Sequence, residues 1–293
     1  MGEADARGGV LPCDGPIVGL RSPWRTEAVT HAMENRGRPT DHPLARVLDE
    51  AVQLARQAGE LTLRHFRSAG LVIEQKADGT PVTQADREAE RLIREELESR
   101  HPGDGILGEE EVERTGTTGR RWIVDPIDGT VAFTHGVSLY SNLLALEDEH
   151  GIAVGVINLP ALGETIYAAR GLGCYVNGAP ARVSERGELD GSFVAATSLN
   201  DWGDKALLRA KRAGLQLRTW GDGYGYALVA TGRAEAMVDM HAATWDLAAM
   251  PVIISEAGGR MTDLSGAPRH DGGSGLASNG LIHESLLGLL AES

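Results

Sequence analysis

From Pro43 onward the apolar residues fall at helical spacing. Leu44, Val47, Leu48, Ala51, Val52, Ala55, Ala58, Leu61 and Leu63 mark one stripe that runs to Phe66, and Gly70 ends it. Residues 71–73 read as a short strand leading to Lys76, with Asp78-Gly79 as a turn. A second helix is expected over 83–100, with Ala89, Leu92, Ile93 and Leu97 on its apolar face and Pro102-Gly103 as its stop. Short strands follow at 105–107 and 122–124. Residues 143–146 and 152–157 flank a polar turn and read as a hairpin, and 165–168 reads as a further strand before the turn Gly171-Leu172-Gly173.

Beyond residue 190 the rhythm changes. Strands at 193–195, 215–219 and 236–238 alternate with helices at 204–213, 226–230 and 244–257, and 278–290 passes from strand to helix. Antiparallel strands with helices first and alternating α/β later place the chain in the α/β (α+β) class. Three segments are expected: an irregular N-terminal extension over 1–41, rich in Gly and Pro, an α+β half over 42–190, and an α/β half over 191–293 that completes the site.

At 42% hydrophobic residues, the 293-residue chain can bury a full core, although only 4% are aromatic, so Leu, Val, Ile and Ala must fill it. The formal charge of -14 argues against sequence-independent nucleic-acid binding, which needs a basic footprint. The two cysteines, Cys13 and Cys174, form no disulfide framework or metal spacing, so a reducing cytoplasm is the expectation. No apolar run reaches the ~20 residues of a membrane span, and no secretory signal pattern opens the sequence. The nine histidines include no His-x-x-x-His pair for zinc. Gly273-Ser274-Gly275 lacks the spacing of a nucleophile elbow, and Gly171-Leu172-Gly173 lacks the following glycine of a dinucleotide fingerprint.

Acidic residues recur instead at element ends. Gly108-Glu109-Glu110 follows a short strand. Trp122-Ile123-Val124 delivers Asp125 at a strand end, and Pro126-Ile127-Asp128-Gly129-Thr130 turns away from it, because proline cannot extend a ladder. Asp86 in Thr83-Gln84-Ala85-Asp86 and Asp246 in Thr244-Trp245-Asp246 sit at helix starts. Taken singly, Asp86 and Asp246 read equally well as residues facing a helix dipole, and Glu109-Glu110 as a solvated acidic run. Two aspartates and a threonine in one tight turn exceed what a turn needs. Gathered carboxylates repel one another and resist burial unless a hard divalent cation joins them. Mg²⁺, which takes oxygen ligands and keeps waters, suits such a site when a phosphate must enter.

These motifs, in this order, resemble the inositol monophosphatase superfamily of metal-dependent phosphatases. Gly108-Glu109-Glu110, Asp125-Pro126-Ile127-Asp128-Gly129-Thr130, and Trp245-Asp246 leading to Ser255-Glu256-Ala257-Gly258-Gly259 carry the resemblance, and Pro81-Val82-Thr83-Gln84-Ala85-Asp86 fits its upstream aspartate. The resemblance spans roughly residues 44–290. It implies a layered α/β/α/β/α sandwich, usually dimeric, acting on a small phosphate ester with Mg²⁺, with neither nucleic acid nor membrane as partner. It implies Glu109, Asp125, the Ile127 carbonyl, Asp128 and Asp246 as metal ligands, and Asp86, Glu109 and Thr130 as catalytic residues, with Asp86 and Thr130 aligning the attacking water. Gly129 and Thr130 would meet phosphate oxygens through their backbone. Val131-Ala132 departs from the family, which often has Lys or Thr and then Asn or a small residue before Phe133.

Trp220-Gly221-Asp222-Gly223-Tyr224-Gly225-Tyr226 looks most like the histidinol-phosphatase branch, and Asp239, seven residues before Asp246, stands where that superfamily places a substrate-contacting acid. Histidinol phosphate carries an ammonium and an imidazole, so its site calls for carboxylates and an aromatic face. Asp222, Asp239, Tyr224 and Tyr226 are the candidates, with helix packing the alternative for both tyrosines. Inositol 1-phosphate is the alternative substrate, and a catalytically silent ligand-binding relative is the alternative outside enzymes.

Overall fold

The stripe that opens at Leu44 folds as α1 (Ala45–His65), which buries Leu48, Ala51, Val52, Leu54, Ala55 and Ala58 on one side. The structure is a computed structural model that describes residues 41–77 and 79–291. Apart from Asp41, the expected N-terminal extension over 1–41 lies outside the described residues.

A hairpin, β1 (Ile73–Gln75) and β2 (Pro81–Thr83), precedes α2 (Gln84–Arg100), so the strand expected at 71–73 begins two residues later. Thr83 caps α2: its Oγ1 accepts from Ala85 N at 3.1 Å, and Asp86 Oδ2 in return accepts from Thr83 N at 2.8 Å. β3 (Gly105–Gly108), β4 (Arg121–Asp128), the short α3 (Thr130–Thr134), β5 (Ser141–Asp148), β6 (Gly151–Leu159), β7 (Glu164–Ala169), β8 (Gly173–Val176) and β9 (Ala179–Pro180) follow. The strands form one sheet in chain order β3 to β9, parallel only between β3 and β4.

The rest supplies β10 (Phe193–Ala196), α4 (Gly203–Arg212), β11 (Gln216–Arg218), α5 (Asp222–Ala230), β12 (Ala236–Asp239), α6 (Thr244–Leu247), α7 (Met250–Glu256), β13 (Arg260–Thr262), β14 (Gly275–Ser278) and α8 (His283–Ala291). The second sheet has the order β11-β10-β12-β14-β13, with β10 parallel to both β11 and β12. The single helix expected over 244–257 is two helices. Pro251 offers no N–H and its ring crowds the carbonyl of Leu247, so the chain restarts with Pro251 in the first turn of α7.

Alternation along the strands sets the layers. In β4, Val124 joins the cluster under α1 and α2, whereas Ile123 joins the central cluster with α5, α6 and α7. In β10, Ala195 faces that same centre, while Val194 and Ala196 pack with Trp202, Ala206 and Leu286 of the α4 and α8 side. The order is thus helices, seven-stranded sheet, helices, five-stranded sheet, helices, and the α/β/α/β/α arrangement is present. The largest side chain in the outer cluster, Trp122, is 1% exposed and places its indole N–H 3.1 Å from Asp104 Oδ2.

Candidate active site

The site forms where β4 stops behaving as a strand. Its register with β5 holds as far as Asp125, opposite Leu143, and resumes at Asp128, opposite Ser141. The intervening bulge turns both aspartates toward one place. Gly129 follows at φ 80°, a left-handed conformation that a β-carbon would strain, and opens α3. The side chains of Ile127, Phe133 and Tyr140 are buried together with Ala85 and anchor this turn. Asp246 comes from the other sheet's side, in α6, with Oδ2 accepting from Ala243 N at 2.7 Å.

One oxygen from each of Asp125, Asp128 and Asp246 lies within 4.8 Å of the others. Asp125 and Asp128 are only 2% and 6% exposed. Asp128 Oδ2 accepts from Ser141 Oγ at 2.5 Å and from Gly223 N at 2.6 Å. Asp125 Oδ1 is buried with no hydrogen-bond partner. Burial, then the charges of Glu109, Asp128 and Asp246, push the Asp125 carboxyl well above the usual carboxylate range. Burial and then Asp222 and Asp246 do the same to Asp128, against the bonds from Ser141 and Gly223. Burial lifts Asp246 to about 7, with Glu109 and Asp239 adding to it and the Ala243 amide opposing. Hard oxygen donors, mutual repulsion and a bare buried oxygen are what a divalent ion relieves, and the donor set fits one.

Glu109 joins from the end of β3. It touches Asp125 through its side chain, and its Oε1 also lies 2.6 Å from Lys76 Nζ, which is equally close to Glu110 Oε1. Burial pulls the Lys76 ammonium down, but the two carboxylates outweigh it and hold it well above the usual lysine range. Glu90, which the sequence reading passed over, is fully buried and shapes this loop. Its carboxylate accepts from the amides of Glu110 and Glu111 at 2.8 and 3.1 Å. A β-carbon on Gly108 would lie 2.0 Å from Glu90 Oε1, which is why glycine precedes the two glutamates. The Arg94–Glu90 spacing disguises it as a surface helix pair, although both are buried.

Asp86 serves two tasks. Its Oδ2 caps α2 through Thr83, while its Oδ1 lies 3.4 Å from Thr130 Oγ1. Thr130 Oγ1 is also 2.9 Å from the Ile127 carbonyl oxygen. Burial holds Asp86 above its ordinary range against the two Thr83 bonds, and Glu109 adds to the rise.

The residues expected to face the substrate lie beside this cluster. Asp222, at φ 55°, closes on the turn so tightly that a β-carbon on Gly129 would lie 2.9 Å from its Oδ2. Burial and then Asp239 lift it to about 6. Asp239 is buried at the end of β12, where one oxygen takes the Tyr226 hydroxyl at 2.9 Å; burial raises its carboxyl, against the pull of Thr197 and Tyr226. Tyr226 itself is 1% exposed, so the aromatic face expected of it is closed, and its role here is the hydroxyl on Asp239. Tyr224 packs against the central core.

Comparison with known proteins gives the family. A family model described as the inositol monophosphatase family matches residues 44–293. The chain is 47% identical over 236 residues to a histidinol-phosphatase of Chlorobaculum parvum, covering 79% of this chain and 91% of that protein. It is 43% identical over 247 residues to a histidinol-phosphatase of Mycobacterium tuberculosis, covering 81% and 95%. Among solved structures, an IMPase of Thermotoga maritima superposes with a TM-score of 0.76 at 33% identity, covering 84% of this chain and 97% of that one.

Proposed function

Since the chain belongs to the inositol monophosphatase family, we propose that it hydrolyses L-histidinol phosphate to L-histidinol and phosphate with Mg²⁺ in the carboxylate cage. The observation that carries this reading is the convergence of Asp125, Asp128 and Asp246 around one point, with the buried Asp125 Oδ1 left bare. The relatives in Chlorobaculum parvum and Mycobacterium tuberculosis support the substrate.

Asp125, Asp128, Asp246, Glu109 and the Ile127 carbonyl would hold the ions. When bound, such ions neutralise phosphate charge and lower the pKa of water. The Thr130 hydroxyl and Asp86 orient the water that attacks phosphorus, and Asp86 takes up its proton. The phosphorus–ester oxygen bond breaks as the new phosphorus–oxygen bond forms, and the alkoxide leaves as histidinol by taking a proton from solvent water, to which Asp86 returns the one it accepted. The amides of Gly129 and Thr130 face the phosphate oxygens. Asp222 and Asp239 supply negative charge for the ammonium and imidazole, and Tyr226 holds Asp239 in place through its hydroxyl. Tyr224 is the remaining aromatic candidate at this end.

Among the described residues no helix is long and apolar enough to cross a membrane. The reading carries with it a homodimer working in the cytoplasm, and light scattering in solution tests the first of these. Phosphate release from histidinol phosphate and inositol 1-phosphate, each with and without Mg²⁺, tests the rest. Magnesium-dependent release is expected from both, faster from histidinol phosphate. A faster inositol reaction overturns the substrate, and no release from either ester overturns the enzyme.

A further inference from the structure

The bulge that aims the two aspartates is held from behind by side chains to which the mechanism gives no part. Across the break in the β4–β5 register, Pro126 and Ile127 together face the single residue Asn142. Proline brings no N–H, and the break in register takes it out of the regular ladder. Asn142 Nδ2 donates to the Pro126 carbonyl at 2.6 Å. Its Oδ1 accepts from Asn158 Nδ2 at 2.9 Å, Asn158 Nδ2 also donates to the Ala55 carbonyl in α1 at 3.1 Å, and Asn158 Oδ1 accepts from Thr165 Oγ1 at 3.0 Å. Arg56 Nε, back on α1, reaches Thr165 Oγ1 at 3.2 Å.

The chain has one polarity. A carbonyl can only accept, so Asn142 must turn its nitrogen to Pro126 and its oxygen to Asn158, and Asn158 must then turn its oxygen to Thr165. The three residues are direct cross-strand partners, Asn142 with Asn158 and Asn158 with Thr165, and are 1%, 4% and 3% exposed. Two buried amides in strands otherwise filled by Leu, Val and Ile are costly unless fully bonded, and bonded they fix one geometry.

A second observation comes from α1. Gly59 sits deep inside that helix, where glycine is the poorest residue after proline. A β-carbon there would fall 2.3 Å from Asn158 Nδ2 and 3.0 Å from Asn142 Oδ1. The helix gives up a side chain to let the amide pair stand against it.

We propose that Asn142 is a positioning residue, which sets the separation of Asp125 and Asp128 and the aim of the Ile127 carbonyl by pinning the Pro126 carbonyl, with Asn158, Thr165 and Gly59 fixing Asn142 in turn. The inference rests on reading the cage as a divalent-metal phosphatase site. It assigns to α1, which carries no ligand, control over the metal loop.

The test compares the full chain with Asn142→Leu, Asn158→Leu and Gly59→Ala, using Mn²⁺ binding followed by electron paramagnetic resonance, thermal melting, and kcat and KM for histidinol phosphate. Leu keeps the branched shape of Asn at a somewhat larger volume and removes its hydrogen bonds, and thermal melting reports any overpacking. Mn²⁺ affinity should fall about tenfold or more in Asn142→Leu, as loss of a residue supporting metal ligands commonly does. It should fall in the same direction in Gly59→Ala, and kcat should fall more than KM changes. Folded variants that melt lower yet bind Mn²⁺ as tightly as the wild type overturn the proposal. If Asn142→Leu does not fold, the other two variants decide by the same readout. A wild type that binds Mn²⁺ but spares histidinol phosphate removes the substrate reading alone, and the Mn²⁺ comparison still decides this inference. A wild type that binds no Mn²⁺ overturns both.

Discussion

Asp128 concentrates the conflict that single residues bear in this site. It is 6% exposed, faces Asp222 and Asp246, and is kept in place by Ser141 and the Gly223 amide. Replacing it with asparagine removes charge while keeping shape. Asp128→Asn should lower kcat by about a hundredfold or more, the scale of losing one key electrostatic group. In metal-free buffer the same variant should melt above the wild type, because repulsion is relieved. Near-normal magnesium-dependent turnover would remove Asp128 from the ligand set. Asp222 offers a cleaner test of substrate charge, since asparagine tolerates its left-handed backbone nearly as well. Asp222→Asn should raise KM for histidinol phosphate several-fold and leave KM for inositol 1-phosphate close to its starting value, a difference that paired steady-state kinetics would detect. At this scale the gathered acids were legible through the order of their motifs, which carries the family resemblance, and not one by one, since each alone also fits a helix start or a solvated run. Glu90 was passed over because its hydrogen-bond partners, the amides of residues 110 and 111, lie elsewhere in the sequence. Of the two readings open for Tyr226, burial favours helix packing, and its hydroxyl binds Asp239.

The elements were legible where apolar period was long and less so where a side chain or ring broke it. α1 and α2 follow their stripes almost residue for residue, whereas the continuous pattern over 244–257 hid the interruption that Pro251 imposes. Pro126 was expected to turn the chain out of the sheet, whereas β4 runs through it as a bulge and pairs again at Asp128, and its support by β5 and β6 depends on register, which alternation alone does not give. At the other end of the molecule, α8 begins with His283, fully buried, its ring between Ser278 Oγ at 2.8 Å and Thr262 Oγ1 at 3.0 Å. Burial and then Arg260 push its pKa from 6.5 down to about 4. The unfolded chain therefore binds this proton more readily than the folded one between those values. The contribution is fully present above pH 6.5 and is lost as pH falls toward 4, on the order of 3 kcal/mol in all. Urea unfolding at pH 7 and pH 4.5 should show a steeper loss in the wild type than in His283→Gln, and equal losses would exclude His283 as the source.

For the whole molecule, the proposed function implies that repulsion among the gathered carboxylates is relieved when ions bind. Mg²⁺ at a hundredfold over its dissociation constant stabilises a folded protein by about 2.7 kcal/mol. Chelation should accordingly lower the melting temperature by on the order of 5 °C. Calorimetry with and without a chelator measures it, and no change would mean that the cage binds no ion. The five-layer order was reached through family resemblance, because the sequence pattern alone reveals which face of a strand is apolar but not what covers it. The cage draws Asp125 and Asp128 from the seven-stranded sheet and Asp246 from the helix that follows the other sheet's β12. Neither portion of the polypeptide holds a complete set of donors. The chemistry therefore requires both portions to be in place together. A polypeptide cut between β9 and β10 would keep Asp125 and Asp128 yet lack Asp246, and so could not assemble the three-aspartate cage.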